Sequence, residues 1–304
     1  MQPLVVVNPA AANGRLSKHV DEIAAQLRKI LGPYELLRTE YGGHATHLVA
    51  TALQDGVEQI ISVGGDGTHN EVANGFFAGK QLRNPDAILG ILPYGTGTDL
   101  GRSLGIRRGK HALEILVKNS IRTIDVGCVT YGLPDGGEAV RYFLNVADFG
   151  MGGEVVKRVN GASKFFGGFL SFLWGVLATL AVYPNPVIHI EIDGEPTEGF
   201  CSNVIVANGQ YYGGGMHVAP EARLDSGVFE VYVIGDVGRI EAVLNLPKLY
   251  RGHLLKKADK VTYHIAHHVV ARSKDRVLLN LDGEQPGQLP ATFEILPRAL
   301  PILS

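Results

Sequence analysis

Residues 60–75 read Ile60-Ile61-Ser62-Val63-Gly64-Gly65-Asp66-Gly67-Thr68-His69-Asn70-Glu71-Val72-Ala73-Asn74-Gly75. A short apolar run ends in three glycines around one carboxylate, and a helix-like stretch follows. Glycines let the backbone turn so that its N–H groups converge on an anion. The start of the helix adds unsatisfied N–H groups and a positive dipole end. The stretch therefore predicts a strand-to-helix phosphate cradle. An acid facing phosphates calls for a cation between them, normally Mg²⁺. Phosphoryl transfer from a nucleotide is the chemistry this combination points to.

Moving outward from the cradle, strands are predicted at Leu4–Val7, Tyr34–Arg38, Gln59–Val63 and Ala87–Leu92. Val20, Ile23, Ala24, Leu27, Ile30 and Leu31 recur at helical spacing, and Gly32-Pro33 stops them. Ala45, Leu48, Val49, Ala52 and Leu53 form a second helix face closed by Gly56, and Leu113 to Val117 lie on a later helix. Strands alternating with helices predict a parallel sheet with helices on its faces. Such sheets bind ligands beyond the C-terminal ends of their strands. The loops at 8–14, 64–68 and 93–99 each follow a strand and should converge there. The last carries a second small-residue acid loop, Gly95-Thr96-Gly97-Thr98-Asp99.

After Asp125 the texture changes. Arg141–Ala147, Val187–Asp193, Phe200–Ala207, Val228–Ile234, Lys260–Ala271, Arg276–Leu281 and Ala291–Leu296 are strand-like, with turn residues between them. Helical signal is limited to about 165–183 and 238–251. The expectation is an α/β domain over 1–127, rejoined by 298–304, and an all-β, sandwich-like domain over 128–297.

The chain has 304 residues, of which 45% are hydrophobic and 19% charged, enough for a substantial core. Its net charge of −2 gives no pull toward nucleic acid. Cys128 and Cys201 have no metal or redox spacing and suit a reducing cytosol. No charged n-region or cleavage site precedes the first strand, so no secretory signal is expected. The scattered histidines, including His44, His47, His264, His267 and His268, lack partners for a zinc set. The Walker A motif, a dinucleotide fingerprint after the first strand and protein-kinase signatures are all missing.

A longer ordered set of landmarks resembles the diacylglycerol kinase catalytic-domain family, and within it the bacterial soluble lipid kinases. The set comprises Asn8-Pro9, Thr39 with His44-Ala45, Gly64 to Glu71, and Leu92-Pro93 through Gly95-Thr96-Gly97 to Asp99. It continues with Asp125-Val126-Gly127, Asn145 to Gly150, Ala207-Asn208-Gly209, Gly213 to Met216, Ala219 to Ala222, and Asp282-Gly283-Glu284. The resemblance implies a fold like NAD kinase and phosphofructokinase in the first domain, and an ATP site in a cleft between the domains. Asn8, Gly14, Thr39, Gly64, Gly65, Asp66, Gly67, Thr68, Asn70, Glu71, Gly95 and Thr96 would line the nucleotide. Asp66, Asp99 and Asp125 would hold Mg²⁺, largely through water, and Asp66 would count as catalytic. Glu284 would be the general base that takes a proton from a lipid hydroxyl, with diacylglycerol as the substrate and phosphatidic acid as the product.

The same resemblance implies an enzyme that meets its lipid peripherally at a membrane surface; with the cysteine usage and net charge, the expectation is a cytoplasmic protein without a nucleic-acid partner, a homodimer being left open. The apolar stretch Phe165–Tyr183 is long enough to span a bilayer. Spanning would separate Asp66 and Asp99 from Glu284, so it reads as a helix over the lipid cleft or at the interface. A buried core helix is the alternative. Lys248, Arg251, Lys256, Lys257 and Lys260 could touch anionic lipid.

The chain departs from the family pattern in three places. The loop Asn8–Gly14 is two residues longer than usual, and Thr98 stands where Asn is usual. Ser226 stands where many relatives have Asp, at a structural Mg²⁺ site whose ligands here would be Arg223, Ser226 and Val228. Asp-Gly-Glu also occurs at Asp193-Gly194-Glu195, where it reads as a hairpin turn. Two other functions stay open: a soluble small-molecule kinase of the NAD-kinase type, and a non-catalytic nucleotide- or lipid-binding regulator.

Overall fold

The computed structural model describes residues 2–161, 168–250 and 258–304. They form two compact units, Met1–Val126 with Arg298–Ser304, and Gly127–Pro297.

In the first unit, β1 (Leu4–Val7), β2 (Glu35–Arg38), β3 (Gln59–Gly64) and β4 (Ile88–Pro93) form a parallel sheet in the order β2-β1-β3-β4. Leu4 pairs with both Glu35 and Ile60, and Gln59 pairs with Ile88. Ile302, near the C-terminus, pairs with Leu89 and adds a further parallel strand. β1 and all of β3 beyond Gln59 are buried, as strands covered by helices on both faces must be. The cover comes from α1 (Val20–Leu31), α2 (His44–Gln54), α3 (Asp66–Phe76), α4 (Asp99–Leu104) and α5 (Lys110–Lys118).

In the second unit, β5 (Ile121–Gly132, which enters from the first unit) pairs antiparallel with β6 (Glu138–Phe143). A five-stranded sheet holds β7 (Val146–Gly150), β10 (Asn203–Ala207), β11 (Phe229–Ile234), β12 (Val261–Ala266) and β14 (Leu279–Leu281), in the order β12-β11-β10-β7-β14. Strands β8 (Val187–Ile192), β9 (Glu195–Phe200), β13 (His268–Arg272) and β15 (Gln288–Leu303) pair in the order β9-β8-β13-β15. Both groups feed one core. Phe149 stacks on Phe293 at 5.5 Å, and Phe143 on Phe229 at 5.6 Å. The other face of the five-stranded sheet is buried too, by Met216, Val218, Ala219 and Ala222 over Val146, Ile205 and Tyr232.

This unit is β-rich, with its strands in two groups around one core, as the sequence predicts. Among the described residues it holds three helices, α6 (Met151–Gly161), α7 (Gly168–Val182) and α8 (Arg239–Tyr250). The pattern reading missed α6, whose first turn carries the helix breakers Gly152 and Gly153. Both are forced by space. A Cβ on Gly152 would lie 1.9 Å from Asp148 Oδ1, and one on Gly153 would lie 2.3 Å from the Leu278 carbonyl. It also missed α4, only six residues long. Three runs read as single strands are broken, at 144–145, 201–202 and 267. Of the expected apolar helix, residues 165–167 lie outside the described residues, as do Arg251, Lys256 and Lys257. No described helix is long and apolar enough to cross a membrane.

Candidate active site

Strands β1, β3 and β4 are parallel neighbours, so the loops that follow them share one edge. Tyr94 N donates to the Gly64 carbonyl at 2.6 Å, and Asn8 N to the Val63 carbonyl at 3.1 Å. Asn8 Nδ2 donates to Thr68 Oγ1 at 3.0 Å. The glycines earn their places by closeness rather than by left-handed backbone. Gly65 has φ −100°, which any residue adopts. A Cβ on Gly95 would instead lie 2.3 Å from Gly65 Cα and 2.7 Å from the Gly97 carbonyl. The two small-residue loops therefore touch backbone to backbone.

Asp66 joins them. Its Oδ2 accepts from Asp99 N and its Oδ1 from Leu100 N, each at 3.0 Å. The carboxylate thus caps α4, whose own N-cap residue Thr98 contributes no side-chain bond. Asp66 is also the first residue of α3, so two helix N-termini favour its negative charge. Asp99 is buried and pairs with Arg102. Carboxylate oxygens are the donor type that suits Mg²⁺, but among the described residues no three His, Cys, Asp or Glu side chains are grouped closely enough to hold a metal ion. Asp125 is fully buried, and its Oδ1 accepts from Arg298 N at 2.7 Å. Arg298 holds a φ of 49°, so Asp125 also has the structural task of fixing a left-handed residue within β15.

The other sequence candidates lie around this core. Thr39, just past β2, donates its N–H to the Val7 carbonyl at 2.9 Å. Asn70 is buried in α3 and accepts from Asn74 Nδ2, while the Glu71 carbonyl accepts from Thr46 Oγ1 at 2.8 Å. Thr96 is exposed, and Gly14 turns the first loop at φ 78°. Sequence reasoning missed Arg108. Its guanidinium donates to the Gly95 carbonyl at 2.8 Å and the Pro93 carbonyl at 3.3 Å, placing a cation on the second loop. It also missed His69, which is fully buried and bonded to Ser62 Oγ at 2.8 Å. Burial lowers its pKa to about 3, so it is a neutral packing residue.

In the second unit, Glu284 lies at the end of a tight turn. Leu281 and Glu284 exchange backbone bonds at 2.8 and 2.9 Å. Asp282 and Gly283 have φ of 49° and 92°, the left-handed pair an Asp-Gly hairpin turn needs. Asp193 and Gly194 repeat this at 48° and 91°, so locally the two Asp-Gly-Glu segments are alike. Their aspartates differ in what they grip. Asp282 accepts from the backbone amides of Leu144, Asn145 and Val146 at 2.7–3.0 Å. Asp193 accepts from those of His267 and His268 at 2.8–3.1 Å. Asn280 Oδ1 also accepts from Gly283 N at 2.9 Å, while its Nδ2 donates to Asp148 Oδ2 at 2.6 Å. Asp148 is fully buried, and desolvation raises its pKa to about 7.

The structural Mg²⁺ site implied by the resemblance does not fit this chain. Ser226 Oγ lies 3.0 Å from the Arg223 carbonyl and 3.1 Å from the Val228 carbonyl. The hydroxyl already bridges the two carbonyls a cation would need. The neighbouring carboxylate of Asp225 is engaged by the Arg223 guanidinium at 3.0 and 3.3 Å. A hard divalent cation would find no carboxylate at that point.

Comparison with known proteins identifies the two halves of the chain. Residues 2–129 match the diacylglycerol kinase catalytic domain, and residues 145–304 match the YegS C-terminal NAD kinase beta sandwich-like domain. The chain is 28% identical to a diacylglycerol kinase of Staphylococcus carnosus (strain TM300) over 290 residues, 95% of this chain and 90% of that one. It is likewise 28% identical to a diacylglycerol kinase of Bacillus subtilis (strain 168) over 301 residues, covering 98% and 95%. A solved diacylglycerol kinase structure from Bacillus anthracis str. Sterne superposes with a TM-score of 0.71 at 22% identity, covering 99% of this chain and 96% of that one. That likeness speaks for the fold. With both halves matched in order, the chain belongs to the diacylglycerol kinase family of lipid kinases.

Proposed function

We propose that this chain transfers the γ-phosphoryl group of ATP to the hydroxyl of a lipid, with diacylglycerol the acceptor and phosphatidic acid the product. The observation that carries the reading is the contact of the two small-residue loops at the sheet edge, with Asp66 binding the backbone of Asp99 and Leu100. The relatives named diacylglycerol kinase supply the acceptor.

Phosphoryl transfer asks a protein for positioning and for charge neutralisation. Asn8, Gly14, Thr39, Gly64 to Thr68, Asn70, Glu71, Gly95 and Thr96 would align the phosphates. Asp66 and Asp99, with Asp125, would hold Mg²⁺, which when bound offsets phosphate charge. Arg108 would add a fixed cation beside Gly95. Glu284 would accept the hydroxyl proton as the new O–P bond forms and the bond to the ADP oxygen breaks. The enzyme would work in the cytoplasm and meet its lipid at a membrane surface.

Two variants test these roles on micellar diacylglycerol with ATP and Mg²⁺. Glu284→Gln should lower kcat by about 10²–10⁴-fold, the range of one general base. Asp66→Asn should lower turnover by at least about 10²-fold, as loss of a preorganised electrostatic group does. A Glu284→Gln enzyme with wild-type kcat would remove Glu284 from the reaction.

A further inference from the structure

We infer that helices α7 and α8 form the face by which this chain lies on an anionic bilayer. The inference deepens the lipid-kinase reading and rests on it for the choice of a lipid surface.

Helix α7, Gly168–Val182, carries no charged residue. At 1.5 Å per residue its 15 residues reach only about 22 Å, short of the ~30 Å hydrocarbon core. No described helix is long and apolar enough to cross a bilayer. Val176 and Leu180 are buried against Val155, with Ala242 and Leu246 of α8 packed on them. Trp174, Leu177 and Val182 are left outward, at 68%, 38% and 58% exposure. On α8, Ile240, Val243 and Leu244 are 78%, 40% and 68% exposed, and no residue of that helix is buried. Among the described residues, twelve large apolar side chains are exposed, and six of them sit on these two helices. That concentration separates a docking face from the single exposed apolar residues any surface carries.

The charges choose the partner. A groove on α8 is lined by Gly238, Arg239, Ile240, Glu241, Leu244, Asn245 and Lys248. Glu241 is paired with Lys260 at 2.9 Å, whereas Asp236, ahead of the helix, accepts from the uncharged Asn185 and keeps its negative charge. Lys248 bonds to the uncharged Asn245. Arg239 and Lys248 on the groove outnumber Asp236, so the rim of the apolar face is cationic on balance. Apolar side chains, a tryptophan and flanking cations together suit an anionic lipid–water interface.

Trp174 is the only tryptophan in the chain, so its fluorescence reports on this face directly. The wild type should co-sediment with vesicles of phosphatidylcholine mixed with phosphatidylglycerol, and its emission should shift to the blue. Binding to phosphatidylcholine alone should be at least tenfold weaker. Ile240→Glu with Leu244→Glu should reduce partitioning at least tenfold. Arg239→Gln with Lys248→Gln should reduce it several-fold on anionic vesicles only. Both pairs lie at exposed positions, and circular dichroism would confirm that they fold. Wild type that ignores anionic vesicles overturns the inference, as does unchanged binding by the double glutamate variant. A concentration-dependent dimer abolished by that variant would assign the face to a second copy and overturn it as well. Activity on dissolved short-chain diacylglycerol separates the two readings. Activity there without vesicle binding sinks the docking face alone. Vesicle binding through this face with no lipid phosphorylated sinks the kinase reading alone.

Discussion

Asp148 shows what burial does to a single carboxyl group. In the folded protein it keeps its proton up to about pH 7, against an ordinary value of 3.8. Between those values the folded state holds more protons than the unfolded chain, so stability falls as pH rises through that window. His69 acts with the opposite sign. With its pKa lowered from 6.5 to about 3, it removes stability as pH falls through that range. Asp148→Asn deletes only the first slope. Its urea midpoint relative to wild type should therefore rise from about pH 5 to pH 8, and a flat difference would mean Asp148 is not buried as a neutral acid. Ser226 makes a second prediction at this scale. Ser226→Asp should gain a Mg²⁺-dependent rise in Tm that the wild type lacks, because it supplies the missing carboxylate. Ser226→Ala should lose about 1 kcal/mol with the bridging hydroxyl. Neither Asp148 nor Ser226 announces its environment in the sequence. The hydroxyl bridge needs the loop to close, and the buried acid needs three strands to meet around it.

The elements show where local reading succeeds and where it stops. Strands β1, β3 and β4 were legible because apolar runs buried on both faces leave a plain signal. The run Arg141–Ala147 was read as one strand and is broken where Asp282 takes the amides of Leu144, Asn145 and Val146. Lys260–Ala271 is broken at His267, where Asp193 takes two amides. Both breaks are made by Asp-Gly turns more than 70 residues away in sequence, which no window of pattern contains. Helix α4 escaped notice for the same reason, since its cap is Asp66, 33 residues upstream. Asp282→Ala should cost about 2–4 kcal/mol in urea unfolding, because it orphans amides in a partly buried setting. Asp193→Ala should cost less, since its two amides face solvent. Equal losses would mean that the Asp282 clamp is not special. Gly95→Ala would drive a methyl group to 2.3 Å from Gly65 Cα, so it should lose about 1–3 kcal/mol and most turnover together. Retained stability and activity in that variant would show that the two loops need not touch.

At the scale of the whole molecule, the order of motifs carried more than any one of them. Glycines around Asp66 alone describe a phosphate cradle. The second loop, the Asp-Gly-Glu near the C-terminus and the apolar helix made a lipid kinase the reading to test, and the two matched domains confirm the family. Arg108 stayed hidden because an arginine after a helix has many surface uses; only its bonds to Gly95 and Pro93 place it at the loop. The bond from the Asp99 amide, at the start of α4, to Asp66 was hidden too, although the resemblance marks both residues as metal ligands. The central claim is that phosphate leaves ATP and ends on a lipid hydroxyl. The most direct measurement incubates the protein with γ-labelled ATP, Mg²⁺ and mixed micelles of diacylglycerol, sphingoid base, ceramide or phosphatidylglycerol, then extracts the lipids and identifies the labelled product by mass. Label in phosphatidic acid, lost in Asp66→Asn, is the predicted result. Label in no lipid of the four, from protein shown to be folded, would contradict it.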